Sequence, residues 1–356
     1  MVRIKSLDGI RAVSIVMVLL GHGKETIDPK YTDNFIFNVI SNSSLGVMIF
    51  FVISGYLITS LLLKEKEVHG KISIKNFYIR RIFRIFPIFY LYIITILILK
   101  NIGYHSIFTD YSTVLFAGLY LWNYKHFFQI PETNGNWFFG HTWSLSLEEQ
   151  FYLIWPFLFS RFNINNLKKV TIGIILISPF LGLITYFILP NSRGQIGMML
   201  PTGSGTIFMG CLGAILEKEI DFKKKLISLL NNKALVFLGF LFVFIINPFL
   251  SNKFGGGYSI LFGNSLNSAI IMFLIFYCIY VTSLVSTFLN KKLLVKIGLI
   301  SYSLYIWQQL FLTDLINLPI NRFPINLVMC FVVAIISYHF IEKPINNLKT
   351  RFKLIK

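Results

Sequence analysis

Residues 44–63 read SLGVMIFFVISGYLITSLLL, a stretch without one charged side chain. A helix needs about 20 apolar residues to cross the hydrocarbon of a bilayer, and this run has that length. Working outward, similar runs lie near residues 8–26, 83–100, 107–124, 142–160, 170–189, 201–217, 234–250, 263–286, 298–316 and 325–342. The whole chain is 55% hydrophobic and 13% charged, against roughly 25% charged in soluble domains. The first run, Ile10 to Leu20, is followed by no small-residue cleavage site and by many more apolar runs, so it reads as a retained helix and not a secretory signal. The expected fold is all-α and integral to the membrane.

The formal charge is +18, yet the Lys and Arg residues sit between apolar runs and form no basic groove, so no nucleic-acid partner is expected. They act as topology signals. Arg3 and Lys5 at one end, and Lys349, Arg351, Lys353 and Lys356 at the other, place both termini in the cytoplasm, which requires an even number of crossings. Eleven segments are one too many. With the loop from Arg161 to Lys169 inside, every later loop alternates between basic and nearly uncharged, and only four crossings fit before it. The reading is therefore about ten transmembrane helices with one re-entrant or interfacial segment within 107–160. On that assignment 25 of the 33 Lys and Arg fall inside and 6 outside, leaving Arg11 and Lys125. A membrane domain would occupy 1–345 and a basic cytoplasmic tail 346–356. Non-helical backbone at membrane depth is tolerated only where protein buries it or water reaches it, so the re-entrant stretch is a candidate site wall.

Cys211, Cys278 and Cys330 lie in apolar runs without ligand-like spacing, so neither a disulfide framework nor a metal site is expected. The run Gly210-Cys211-Leu212-Gly213 and the stretch Gly194 to Gly197 have small residues suited to helix packing. His69, His105 and His126 fall in expected loops.

Asp8, Arg11 and His22 concentrate ionisable groups in one hydrophobic segment, where they are expensive in lipid and tend to face an interior or a cavity. Arg11 and His22 are eleven residues apart, so on a helix they share a face about 16 Å apart along the axis. That face could hold an anion near the cytoplasm and a base deeper in, with Gly21 and Gly23 leaving room for a ligand. The blander reading pairs Asp8 with Arg11 at i, i+3 and makes His22 the end of the span. Arg80, Arg81 and Arg84 precede the third span. Arg81 and Arg84 share a helical face and could grip one polyanionic group, or could anchor on anionic headgroups. Residues 140–152 place His141 and the adjacent carboxylates Glu148 and Glu149 in the ambiguous stretch, as a proton carrier or as an interfacial loop. Adjacent helical residues diverge by about 100°, so only one of the two can face a given site.

These segments together resemble the membrane-bound acyltransferase 3 family, which includes O-acetyltransferases of bacterial surface glycans. The resemblance covers nearly the whole chain. It rests on Leu7-Asp8-Gly9-Ile10-Arg11 with His22, on Phe50-Phe51-Val52-Ile53-Ser54-Gly55-Tyr56-Leu57-Ile58, and on Arg81-x-x-Arg84 leading into Pro87. It continues through Thr142-Trp143-Ser144-Leu145, Glu148-Glu149-Gln150-Phe151-Tyr152, Tyr302-Ser303-Leu304-Tyr305-Ile306-Trp307 and Glu342-Lys343-Pro344.

The resemblance implies transfer of an acyl group, usually acetyl from cytoplasmic acetyl-CoA, to a hydroxyl of a cell-surface glycan or lipid-linked oligosaccharide, in a bacterial inner membrane and without a metal. Arg11, Arg81 and Arg84 would hold the CoA phosphates. His22 would be the base or acyl relay, assisted by Glu148 and Glu149, with His141, Trp143 and Ser144 toward the acceptor. Two positions depart from the family: Met48 stands where an acidic residue is common, and Gln308 where a His is common, which leaves the last motif's role in doubt. The chain also ends soon after Glu342-Lys343-Pro344, so a fused extracytoplasmic hydrolase-like domain is not expected, and the acceptor would be reached directly or through a separate extracytoplasmic partner. The rival reading is a glycan transporter or flippase with a His/Glu proton relay. Against it stand the few carboxylates within the spans and the absence of inverted repeats.

Overall fold

The computed structural model describes residues 3–102, 111–128 and 136–348. Among the described residues the chain is helical, with short connections and no strand. Five helical stretches are long and apolar enough to cross a membrane: Phe35–His69, Ile74–Asn101, Ile164–Ile188, Lys233–Tyr280 and Ile325–Leu348. Along Ile164–Ile188, the side chains of Leu176, Ile177, Phe180, Ile184, Phe187 and Ile188 are all more than half exposed. Water would penalise that stripe, whereas lipid tails accept it. The protein is thus a multi-pass membrane protein. The basic tail from Lys349 onward, and His105, lie outside the described residues.

The chain forms two compact units, one of Met1–Ser14, Leu45–Ile72 and Phe151–Gly298, the other of Ile15–Ser44, Ser73–Gln150 and Leu299–Lys356. In the first unit, glycine sets how closely the helices approach. A Cβ on Gly55 would lie 1.9 Å from the Ile207 carbonyl oxygen, and one on Gly210 would lie 2.1 Å from that of Val52. The helices Ser43–His69 and Gly205–Leu216 therefore meet backbone to backbone. Gly213 makes room for Met272 in the same way. Gly194 and Gly197 do not fit this expectation: a Cβ there meets nothing within 4 Å, because the 3₁₀ segment Pro190–Met198 presents them to open space. Trp155, fully buried, donates its indole N–H to the Thr59 hydroxyl at 2.9 Å.

The runs near 234–250 and 263–286 were expected as separate spans, and they form one helical stretch, Lys233–Tyr280, broken at Gly255. Gly255 has φ 68°, a conformation that glycine adopts without a Cβ penalty. The chain turns back there, since Gly239 on one side of the break packs against Ile270 and Leu274 on the other.

Among the described residues the ambiguous stretch resolves into the short helix Ser112–Gly118, a 3₁₀ turn Trp122–Phe128, the short helix Asn136–Gly140 and the 20-residue helix Thr142–Arg161, which passes from the second unit into the first at Phe151. Thr142–Arg161 is the one long helix among the described residues of this stretch, and it is not among the five helices apolar enough to cross a membrane. Lys125, which loop charge left unassigned, is buried with its ammonium 4.7 Å above the Trp122 ring. Gln150 ties these pieces together: its amide donates to the Tyr120 carbonyl at 2.8 Å and exchanges bonds of 3.0 and 3.1 Å with the amide of Asn123. His69 is exposed at the end of its helix, while His126 is half-buried within the 3₁₀ turn.

Candidate functional site

All the candidate site residues except Arg11 belong to the second unit. One continuous helix, Lys5–His22, carries both Arg11 and His22, as their spacing requires. Near its start Asp8 accepts from Arg3 Nε at 2.6 Å. At its end His22 is half-buried. The flanking glycines do not open space for a ligand: a Cβ on Gly21 would lie 2.4 Å from the Ser41 carbonyl oxygen, and one on Gly23 would lie 3.3 Å from Leu312. They let protein close in around the histidine.

The His22 ring is met by Gln308, which the sequence marked only as a departure from the family, and by Gln309 and Trp137, which it did not mark. Gln308 Oε1 lies 3.2 Å from Nδ1, and Gln309 Nε2 lies 3.4 Å from the same nitrogen. The Trp137 ring stands edge-on at 6.1 Å, and its N–H donates to the Gln309 carbonyl at 3.0 Å. Gln308 and Gln309 are both buried. Their helix, Ser301–Phe311, is the hub of the unit. Tyr302 donates to the Ile85 carbonyl at 2.6 Å, Ser303 to Glu342 at 2.8 Å, and Trp307 to the Ser337 hydroxyl at 3.0 Å. The last motif is therefore engaged through its whole length, and Gln308 occupies the position next to His22 itself. Spacing carried a signal for this, because Tyr305, Gln308 and Gln309 lie at i, i+3 and i+4 on one helical face.

Tyr305 connects this group to residues 141–144. Its hydroxyl donates to the His141 carbonyl at 2.9 Å and shares a 2.5 Å bond with the Ser144 hydroxyl. Ser144 is thus committed to the protein interior. His141 is buried, its ring flanked edge-on by Tyr92 and Tyr305, each at 5.5 Å, and neither ring nitrogen has a well-formed hydrogen bond among the described residues. It is also electrostatically coupled to His22. Both imidazoles thus belong to the same unit, and charge on His22 is felt at His141. Trp143 is half-buried on the same helix start.

One turn and more along the helix Thr142–Arg161 come the carboxylates. Glu149 has Glu148 and Arg81 as its electrostatic neighbours, and its Oε1 is buried without a hydrogen bond among the described residues. The Arg81 guanidinium also lies 5.4 Å above the Phe77 ring. Arg84, half-buried, forms no hydrogen bond or ion pair to a described residue. The Arg81/Arg84 pair is therefore unequal: Arg81 has the Glu149 carboxylate as an electrostatic neighbour, while Arg84 keeps its donors for another anion. No three His, Cys, Asp or Glu side chains gather as a metal-ligand group among the described residues.

Apolar helices enclosing a buried constellation of imidazoles, a tyrosine and an Arg–carboxylate cluster define a polytopic membrane protein with an internal polar site. The model of the acyltransferase 3 family, described as an acyltransferase domain, matches residues 4–341, and the chain belongs to that family. That places it among transferases acting on acyl groups. It is 31% identical to O-acetyltransferase OatA of Staphylococcus aureus strain NCTC 8325 over 370 aligned positions, covering 96% of this chain and 57% of that protein. An O-acetyltransferase-like protein of Staphylococcus aureus strain COL is 28% identical, with the same 96% and 57% coverage. The chain thus spans a little over half the length of these relatives. No solved structure matches it.

Proposed function

We propose that this protein is a membrane O-acetyltransferase that moves an acetyl group from cytoplasmic acetyl-CoA to a hydroxyl of a cell-surface glycan or its lipid-linked precursor. The observation that carries the reading is the histidine at the end of the first helix, held by two buried glutamines and a tryptophan in the same unit as the Arg81–carboxylate cluster. His22 acts as general base: it takes the acceptor's proton as the hydroxyl oxygen attacks the thioester carbonyl. The carbon–sulfur bond then breaks, and the departing CoA thiolate recovers that proton from the imidazolium.

Arg84 supplies a guanidinium for CoA phosphate, with Arg81 assisting. Arg81 also offsets the charge of Glu149. His141 and Trp143 face the acceptor, and Ser144 holds Tyr305 in place. The chain lies in a bacterial inner membrane with about ten crossings and both termini cytoplasmic, and a separate extracytoplasmic partner can carry the acetyl group onward. The likeness to OatA favours O-acetylation over other acyl transfers.

The test is release of free CoA from acetyl-CoA by protein in lipid nanodiscs, with and without a glycan-lipid extract. Release that needs both His22 and the extract supports the reading. If His22→Ala releases CoA as fast as wild type, the assigned role is wrong.

A further inference from the structure

The hydrogen-bond chain running from the Tyr305 backbone to His22 leaves little freedom to the protons along it. The Tyr305 carbonyl can only accept, and Gln308 Nε2 lies 3.1 Å from it. The Gln308 amide must therefore turn its NH₂ toward Tyr305 and its oxygen toward His22. That oxygen is 3.2 Å from Nδ1 and can only accept, so Nδ1 must carry the hydrogen. In a neutral imidazole the hydrogen then leaves Nε2 with its lone pair. No hydrogen bond from a described residue reaches Nε2.

Gln309 fits the same assignment once its amide is turned over. As placed, its NH₂ points at the Nδ1–H, donor against donor, at 3.4 Å, while its own Oε1 is buried without a partner. Oxygen and nitrogen of an amide exchange places on a half-turn. That half-turn would put the orphaned oxygen on Nδ1–H as a second acceptor. The opposite tautomer would set the Gln308 oxygen against a lone pair, with no turn available to relieve it.

From this chain of bonds we infer that Gln308 is a positioning residue: the amide at 308, oriented by the Tyr305 carbonyl and backed by Gln309, fixes His22 as the Nδ1–H tautomer and reserves Nε2 as the proton acceptor. A histidine at 308 would have two nitrogens able to swap roles, whereas the tethered glutamine presents oxygen alone. The inference rests on His22 being the base, but the tautomer itself is a property of the resting protein. Charge on His22 is felt at His141, so both rings must be followed.

The experiment is nitrogen-15 NMR of imidazole-labelled protein in nanodiscs at a pH where the rings are neutral, with the His22 signals assigned by their loss in His22→Gln. Wild type should show Nδ1 protonated and Nε2 bare. Gln308→Met, of similar length but without an accepting oxygen, should shift the tautomer ratio about 2- to 10-fold, the reach of one hydrogen bond. Its kcat should fall by a similar factor at unchanged KM. Gln308→Glu, which keeps an accepting oxygen, should restore the wild-type tautomer. A protonated Nε2 in wild type overturns the inference whether or not any variant folds, and so does a Gln308→Met spectrum identical to wild type. Failure of CoA release alone would instead overturn the acyltransferase reading and leave the tautomer standing.

Discussion

Replacing Gly210 by alanine adds one methyl group where the first unit has no space for it. The new Cβ would lie 2.1 Å from the Val52 oxygen and 2.7 Å from the Tyr56 nitrogen, both backbone atoms. Comfortable contact begins near 3.4 Å, so the helices must separate by about 1.3 Å or the backbone must bend. No rotamer change can relieve such a clash, because neither partner is a side chain. Overpacking of this kind costs about 1–3 kcal/mol. That predicts a melting temperature lower by on the order of 3–10 °C in detergent, followed by loss of the monodisperse gel-filtration peak on heating. Gly197→Ala is the control, since a Cβ there meets nothing within 4 Å, and it should melt with wild type. If Gly210→Ala melts at the wild-type temperature, or Gly197→Ala falls as far, then backbone contact between these helices does not govern the packing of this unit.

Thr59→Val should destabilise by about 1–3 kcal/mol, since it strands the buried Trp155 N–H, whereas Thr59→Ser should melt near wild type; equal melting of the two would refute the bond's importance. Arg84→Ala should weaken acetyl-CoA binding more than Arg81→Ala, because Arg81 already has the Glu149 carboxylate as an electrostatic neighbour, and unchanged affinity in the double variant would assign the pair to lipid anchoring. Tyr305→Phe should lower turnover severalfold with little change in CoA affinity, since it removes the bond to the His141 carbonyl and the bond to Ser144; turnover at the wild-type rate would mean the 141–144 turn is held by other contacts.

Much of the architecture was legible because bilayer length and charge asymmetry leave direct marks. Most of the apolar runs became helices, five stretches of them long and apolar enough to cross a membrane, while the run near 107–124 holds only a seven-residue helix and a 3₁₀ turn among its described residues. Glycine was harder to read. Gly210 and Gly194 look alike in sequence, and only the approach of a neighbouring backbone separates a packing glycine from one facing open space. Gly21 and Gly23 failed in the same way, since the room they provide is filled by protein. The site was legible wherever charge in an apolar segment drew notice, as at His22, Glu149 and Arg81. Gln308 escaped because it was weighed as a missing histidine, although its value lies in an oxygen aimed at His22 from nearly three hundred residues further along the chain. Trp137 gave no local signal, and its position depends on the Gln309 carbonyl.

The central claim is that an acetyl group passes from a cytoplasmic thioester to a glycan hydroxyl through His22. The most direct measurement supplies carbon-13 acetyl-CoA to the protein in nanodiscs with lipid-linked glycan, and weighs the recovered glycan by mass spectrometry. The account predicts one labelled acetyl ester per modified hydroxyl with wild type and none with His22→Ala. Unlabelled glycan after wild-type incubation, with acetyl-CoA intact, would contradict it.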